Sequence, residues 1–279
     1  MKQSTMLAVV VSSLLLTTML SGCTTPPSAP AEPEIVTFPD KNLESVIREA
    51  LGKPPGEEIL STQLAQLTEL KVQDAGITDL SGIEYCTNLT VLGFWRNPIS
   101  DVSPISSLTK LTGLHLCDSQ ISDIHPLSSL TNLNWLAVAG SPVSDISPLA
   151  SLSSLTVLDL AGDEISDISP VSSLTNLTIL CLQDNQVSDT APLTYLTNLT
   201  DLRLTQNQVN DISPLLANSG LGEGDSLLLG GNNLDLSQGS EDMENIRILE
   251  FRGVVVSLDP HQWAPEQTSP GAPVPLPVE

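Results

Sequence analysis

The chain has 279 residues, 33 Asp and Glu against 10 Lys and Arg, and a formal net charge of −23. That balance leaves no basic footprint for nucleic acid and disfavours electrostatic adhesion to anionic lipid. Aromatic residues make up 3% of the chain, and its four cysteines fit neither a disulfide framework nor CxxC-type metal spacing, so stability must come from packed aliphatic side chains.

The first predicted element, residues 1–22, is an export signal. Lys2 precedes an apolar run, LAVVVSSLLLTTML, at 7–20. As a helix this run rises only ~21 Å, short of the ~30 Å hydrocarbon layer, so a signal core fits better than a membrane span. It ends in Leu20-Ser21-Gly22-Cys23, which resembles the lipobox of bacterial lipoproteins. The resemblance implies cleavage before Cys23 and a lipid anchor on that cysteine. The alternative is an ordinary signal peptide followed by a chance cysteine. Residues 23–33 and 259–279 are rich in proline and poor in apolar side chains, and read as a tether and a disordered tail.

Residues 34–66 form the predicted N-terminal cap. Asp40 is placed to cap a helix carrying Leu43, Val46, Ile47, Ala50 and Leu51 on one face, and Gly52 followed by Pro54-Pro55 ends it. Such a helix would lie over the first repeat as a lid, with Leu64 and Leu67 continuing inward.

From Leu67 to residue 220 the chain repeats every 22 residues, with Leu67, Leu89, Leu111, Leu133, Leu155, Leu177 and Leu199 each opening a unit. An imperfect eighth unit, with Leu227, Leu229, Asn232 and Leu234 in the matching slots, opens the terminal segment 221–258. The second unit, LTVLGFWRNPISDVSPISSLTK, shows seven apolar slots: Leu89, Leu92, Phe94, Ile99, Val102, Ile105 and Leu108. The alternation at Leu92 and Phe94 predicts a short strand. Ser-Pro at 103–104, repeated at 147–148, 169–170 and 213–214, predicts a 3₁₀ turn with Ser as its cap. One unit cannot hide its apolar residues, but a stack of units can. The period and the L-x-x-L-x-L-x-x-N-x-L spacing resemble the leucine-rich repeat. The predicted fold is an α/β solenoid, a right-handed superhelix with parallel strands on the concave face, 3₁₀ turns on the convex face and a helical N-cap.

Two polar columns accompany the leucines. Asn97, Asn185, Asn207 and Asn232 are placed to satisfy loop backbone groups, whereas Ser119, Ser141 and Asp163 interrupt that ladder. Asp79, Asp101, Asp123, Asp145, Asp167, Asp189 and Asp211 form the second column. It either binds calcium or accepts local backbone N–H groups; the flanking sequence lacks glycine-rich calcium loops, which favours the local role.

FPDKNLESVIREALGKP, then ITDLSGIEYCTNLTVL and the recurring ISDISPLSSLTNL phrase, resemble internalin-like bacterial leucine-rich-repeat proteins over residues 34 to about 258. GLGEGDSLLLGGNNL and the segment around Arg247-Ile248-Leu249 and Gly253 resemble a terminal cap of such proteins. The resemblance implies a curved stack that holds another macromolecule, with no enzymatic activity.

In that architecture the outward strand positions carry binding. The candidate partner-binding residues are Val91, Trp95, Arg96, His115, Asp118, Trp135, Val157, Asp159, Ile179 and Arg203. Trp95 and Trp135 are expected two strands apart, ~10 Å across the sheet, with His115 between them. The bland alternative is scattered aromatics lying flat on the sheet. His115, Cys117 and Asp118 make too poor a set for a metal, and no cofactor or catalytic site is expected. A protein is the expected partner, with a glycan as alternative. Membrane contact is expected through Cys23 alone, and the chain is expected to be a monomer. The competing class is a structural envelope component that self-associates.

Overall fold

The computed structural model describes residues 33–261; the export signal, Cys23, the tether and the chain beyond His261 lie outside the described residues. The described residues open with β1 (Ile35–Val36), α1 (Lys41–Ala50), β2 (Ile59–Leu60) and α2 (Ser61–Leu64). Nine strands follow in one parallel sheet: β3 (Glu69–Lys71), β4 (Val91–Gly93), β5 (Gly113–His115), β6 (Trp135–Ala137), β7 (Val157–Asp159), β8 (Ile179–Cys181), β9 (Asp201–Arg203), β10 (Ser226–Leu228) and β11 (Val255–Ser257). Each strand pairs with the next in strict order, and equivalent residues of successive repeats lie side by side. The result is a leucine-rich-repeat solenoid with its sheet on the concave side.

The opposite side is built from 3₁₀ turns, at Ile83–Tyr85, Ser103–Ile105, His125–Ser129, Ser147–Ser151, Ser169–Ser173 and Ala191–Tyr195. The last repeat replaces this turn with a short α-helix, α3 (Ser213–Ala217). Serine is not the cap of these turns. Its own N–H is held by the aspartate two residues earlier, as from Ser103 to Asp101 Oδ1 at 2.8 Å and from Ser169 to Asp167 Oδ1 at 2.8 Å. All seven aspartates of the column accept such a bond, so their repetition follows from turn formation.

Between the two sides lies one continuous aliphatic core. Leu92, Phe94, Ile99, Ile105 and their equivalents from the second repeat to the seventh are fully buried, while in the first repeat Val72 is half-buried. Each such side chain contributes ~1.5–3 kcal/mol on leaving water. Repeats are also stitched through side chains: the Thr112 hydroxyl donates to the Thr90 carbonyl at 3.2 Å, and Asn132 Nδ2 to the Thr109 carbonyl at 2.8 Å.

The asparagine ladder forms where asparagine is present. Asn185 Oδ1 accepts from the Ile165 N–H at 2.9 Å, while its Nδ2 donates to the Leu160, Leu182 and Gln183 carbonyls. Where the ladder is interrupted the loops close on themselves: the Ile99 N–H donates to the Asn97 carbonyl and the Val143 N–H to that of Ser141. The short Ser119 and Ser141 side chains pair with each other, their hydroxyls 2.8 Å apart.

Both ends of the stack are covered. At the N-terminus α1 buries Leu43 and Ile47, and Asp40 caps it through Oδ1, which accepts from the N–H groups of Asn42 and Leu43. Gly52 stops the helix in the left-handed region, at φ 64°. The two-residue β1–β2 ladder, absent from the sequence expectation, ties the chain entry to the segment after α1. At the C-terminus α4 (Glu241–Phe251), capped by Ser240, lays Ile246 and Leu249 over the last repeat.

Candidate functional site

The concave face is a grid of three rows fixed by strand register. One row runs Val91, Gly113, Trp135, Val157, Ile179 and Asp201; the next runs Gly93, His115, Ala137, Asp159, Cys181 and Arg203. By strand alternation the third row holds Trp95, Cys117, Ala139, Ala161, Gln183 and Thr205.

In the N-terminal half the aromatics lie down on the sheet. Glycine at 93 makes this geometry available to Trp95, since a methyl group there would come within 3.1 Å of the indole. The Trp95 ring stacks on His115, with centroids 5.1 Å apart and planes 12° apart; His115 in turn meets Trp135 edge-on at 5.3 Å. Trp135 and His115 retain only 4% and 5% exposure, and Trp135 packs with Cys117, Ala137, Ala139, Val157 and Cys181 into a second small apolar cluster. The two tryptophans expected in one outward patch therefore differ in exposure. Trp95 is half-buried and offers contact surface, whereas Trp135 is a floor residue. Burial lowers the His115 pKa to about 4, so its ring is neutral at physiological pH. Burial also raises the Cys117 thiol well above its ordinary value. Among the described residues no three His, Cys, Asp or Glu side chains converge as metal ligands.

Arg96 and Asp118 occupy a left-handed position that recurs at the end of each strand loop, at φ 55° and 54°. Arg96 lies between two acids, 3.9 Å from Asp74 and 3.6 Å from Asp118. The same column is glycine at 140, where an added methyl would strike Asp118 Oδ1 at 2.7 Å.

The C-terminal half is polar. Arg203 binds Asp201 through Nη2 at 2.6 Å and Nε at 3.1 Å. Burial would lower the Arg203 pKa, but the hydrogen bonds it donates to Asp201, with the surrounding negative charge, outweigh it and the net shift is upward. Asp159 is 7% exposed, and its Oδ1 accepts one hydrogen bond, from the Ala161 N–H at 3.2 Å. Burial raises its pKa to about 6, against the opposing pull of that N–H and of Arg203. Val157 is buried, and Val91 and Ile179 are half-buried.

A Leucine Rich repeats (2 copies) family profile matches residues 87–130 and 175–217. An internalin, inlF, from Listeria monocytogenes shares 36% identity at a TM-score of 0.67, over 71% of this chain. This chain spans 65% of that protein's length. Internalin C2 of the same organism shares 32% identity at a TM-score of 0.71, covering 82% of this chain and 99% of its own. The chain belongs to the internalin family of leucine-rich-repeat proteins. A leucine-rich-repeat protein of Leptospira interrogans, at 20% identity and a TM-score of 0.55, shares the fold. No curated protein matches the chain by sequence.

On this internalin-type scaffold, two features of the concave face were missing from the candidate set. Gln183 Oε1 and Thr205 Oγ1 are buried without a hydrogen-bond partner among the described residues, as are His115 Nε2 and Trp135 Nε1. The signal was available, because Gln183 follows Ile179 and Cys181 by the same two-residue alternation. The other feature is Asp163, which stands in the asparagine ladder beside this face. Its Oδ1 accepts from the Ser141 N–H at 2.8 Å, and burial, with the Asp159 and Glu164 charges adding, raises its pKa to about 9.

Proposed function

We propose that this internalin-type chain is an exported binding module, held at the cell surface by lipid on Cys23, that grips another protein on its concave face and performs no catalysis. The observation that carries this reading is where the orphaned polar atoms fall. Of six buried side-chain polar atoms without partners among the described residues, four (His115 Nε2, Trp135 Nε1, Gln183 Oε1 and Thr205 Oγ1) belong to the concave rows. A fold rarely leaves such groups unpaired, and their concentration on one face fits a surface completed by a ligand. Trp95 and Arg96 would supply contact area at the rim, with Val91, Asp118, Ile179 and Arg203 around the floor.

A photo-crosslinking residue at position 96, on the concave side, is expected to capture the partner on native cells, whereas one at position 128, on the convex side, is not. Capture only from position 128 would move the site to the convex face and favour self-association of an envelope component. The anchor is tested separately: Cys23→Ala should abolish labelling by a clickable fatty acid, and undiminished labelling would remove the lipid from this reading. A glycan partner would instead show as binding to an oligosaccharide array that Trp95→Ala abolishes.

A further inference from the structure

One residue on the floor of the concave face defines the chemistry a partner must bring. Asp159 lies on β7, the middle strand of the nine. Leu158 and Leu160 take the inward positions, so its remaining exposure opens on the concave side. Its neighbours along the row are Ala137 and Cys181, and those in the adjoining row include Ala139 and Ala161. None of these carries a group able to neutralise a carboxylate.

The nearest cation in its row is Arg203, which is already engaged with both oxygens of Asp201. Asp159 therefore keeps a single 3.2 Å hydrogen bond from the Ala161 N–H. A desolvated carboxylate without a paired cation costs several kcal/mol. One strand on, Gln183 Oε1 is a second buried acceptor without a donor. Two acceptors on adjacent repeats, Asp159 on β7 and Gln183 just past the end of β8, call for a group that carries several donors and no acceptor.

Resting on the proposed function, we infer that Asp159 is the seat for an arginine side chain of the bound protein, with Gln183 as its second acceptor. A guanidinium presents five donors in a planar fork and is weakly hydrated, so it spans two acceptors and enters a desolvated floor more readily than an ammonium does. The net charge of −23 draws a basic partner toward the chain. The other ionisable groups around Asp159 leave it as the floor's uncompensated charge at neutral pH. Arg203 and Asp201 cancel each other, burial keeps the Cys117 and Cys181 thiols and the His115 ring neutral, and Asp163, with its pKa at about 9, stays protonated. Below about pH 6 Asp159 itself takes up a proton and the seat loses its charge.

The test is calorimetric titration of the exported chain with a nona-arginine peptide at pH 7.5 and pH 5, using the native sequence, Asp159→Asn and Trp95→Ala. Asp159→Asn is isosteric and removes a buried charge, so its fold should hold, and matched thermal melts check this. The expected result is at least tenfold weaker binding for Asp159→Asn at pH 7.5. The native chain should weaken to the same level at pH 5, with little further change in the variant. Carbon NMR of the Asp159 carboxyl should show its pKa falling by about one unit when saturated with peptide, the linked counterpart of a tenfold effect. If Trp95→Ala weakens binding and Asp159→Asn does not, the arginine seat is wrong while the concave face stands. If neither variant changes binding, or the peptide does not bind, both the seat and its concave location fail.

Discussion

Asp163 reaches across one repeat to accept the Ser141 N–H at 2.8 Å, while its other oxygen, Oδ2, is buried without a partner among the described residues. In the same ladder Asn185 and Asn207 each turn an amide nitrogen toward three backbone carbonyls. A carboxylate cannot donate there, but a carboxylic acid can. Asp163 makes none of these donor bonds, and burial of its unpartnered oxygen favours the protonated form.

Its folded pKa, about 9, lies far above the ordinary carboxyl value of 3.8. The folded state therefore binds one more proton than the unfolded state between these values. The stability Asp163 contributes is complete below about pH 4 and is lost as pH rises toward about 9, at up to about 1.4 kcal/mol per pH unit. Asp163→Asn should raise the urea midpoint, with a gain that grows from pH 5 to pH 8. A gain that does not vary with pH would show that Asp163 is ionised in the fold.

Asp40 joins the N-terminal lid to the first repeat. While Oδ1 caps α1, Oδ2 accepts from the Thr78 N–H at 2.8 Å, the Thr78 hydroxyl at 3.0 Å and the Asp79 N–H at 3.2 Å. Burial alone would raise the Asp40 pKa, but these bonds outweigh it and lower it, so the contribution is present above the ordinary carboxyl range and lost in acid. Asp40→Ala should cost about 2–3 kcal/mol, one helix cap plus the anchoring of the lid. Amide hydrogen exchange should locate the loosening in α1 before the central repeats.

The two tryptophans should separate in stability measurements. Trp135 is a buried floor residue, so Trp135→Ala is expected to cost about 3 kcal/mol or more by leaving a cavity. Trp95 is half-buried, and Trp95→Ala is expected to cost about 1 kcal/mol. Equal losses in chemical denaturation would contradict the distinction between rim and floor.

Asn185→Ala removes the acceptor for the Ile165 N–H and the donor for three carbonyls at once. Leaving these backbone groups unpaired should cost about 2–4 kcal/mol. Ser119→Ala, which breaks one hydroxyl pair, should cost under about 1 kcal/mol. Thermal melts of the two variants would rank them.

The calcium alternative for the aspartate column can be weighed in the same way. Because each carboxylate is occupied by the N–H two residues on, millimolar calcium should leave the melting temperature unchanged. Asp145→Ala should lower the melting temperature only slightly, through loss of the Ser147 bond.

The solenoid was legible because its cause is local and repeated. Leu92 and Phe94 point inward for the same reason in every 22-residue unit, and Asp40 announces its helix by position. The β1–β2 ladder was not legible, since two residues such as Ile35 and Val36 carry no periodicity. The cap of the 3₁₀ turns was misread from Ser103, because serine and the aspartate before it both qualify as caps and only the hydrogen bond separates them.

The linear chain by itself determined the stack, its lid and which positions face the concave side, since period and hydrophobic alternation are properties of neighbours along the backbone. Only the tertiary structure decided which of those outward side chains remain accessible. Gly93, Gly113 and Ala137 come from three different repeats, and the sheet must bring them together before Trp95 and Trp135 can lie flat and His115 can lose its charge. The same holds for Asp159: its burial follows from the assembled sheet, which sets it among Ala137, Cys181, Ala139 and Ala161 while Arg203 pairs with Asp201 on its own strand.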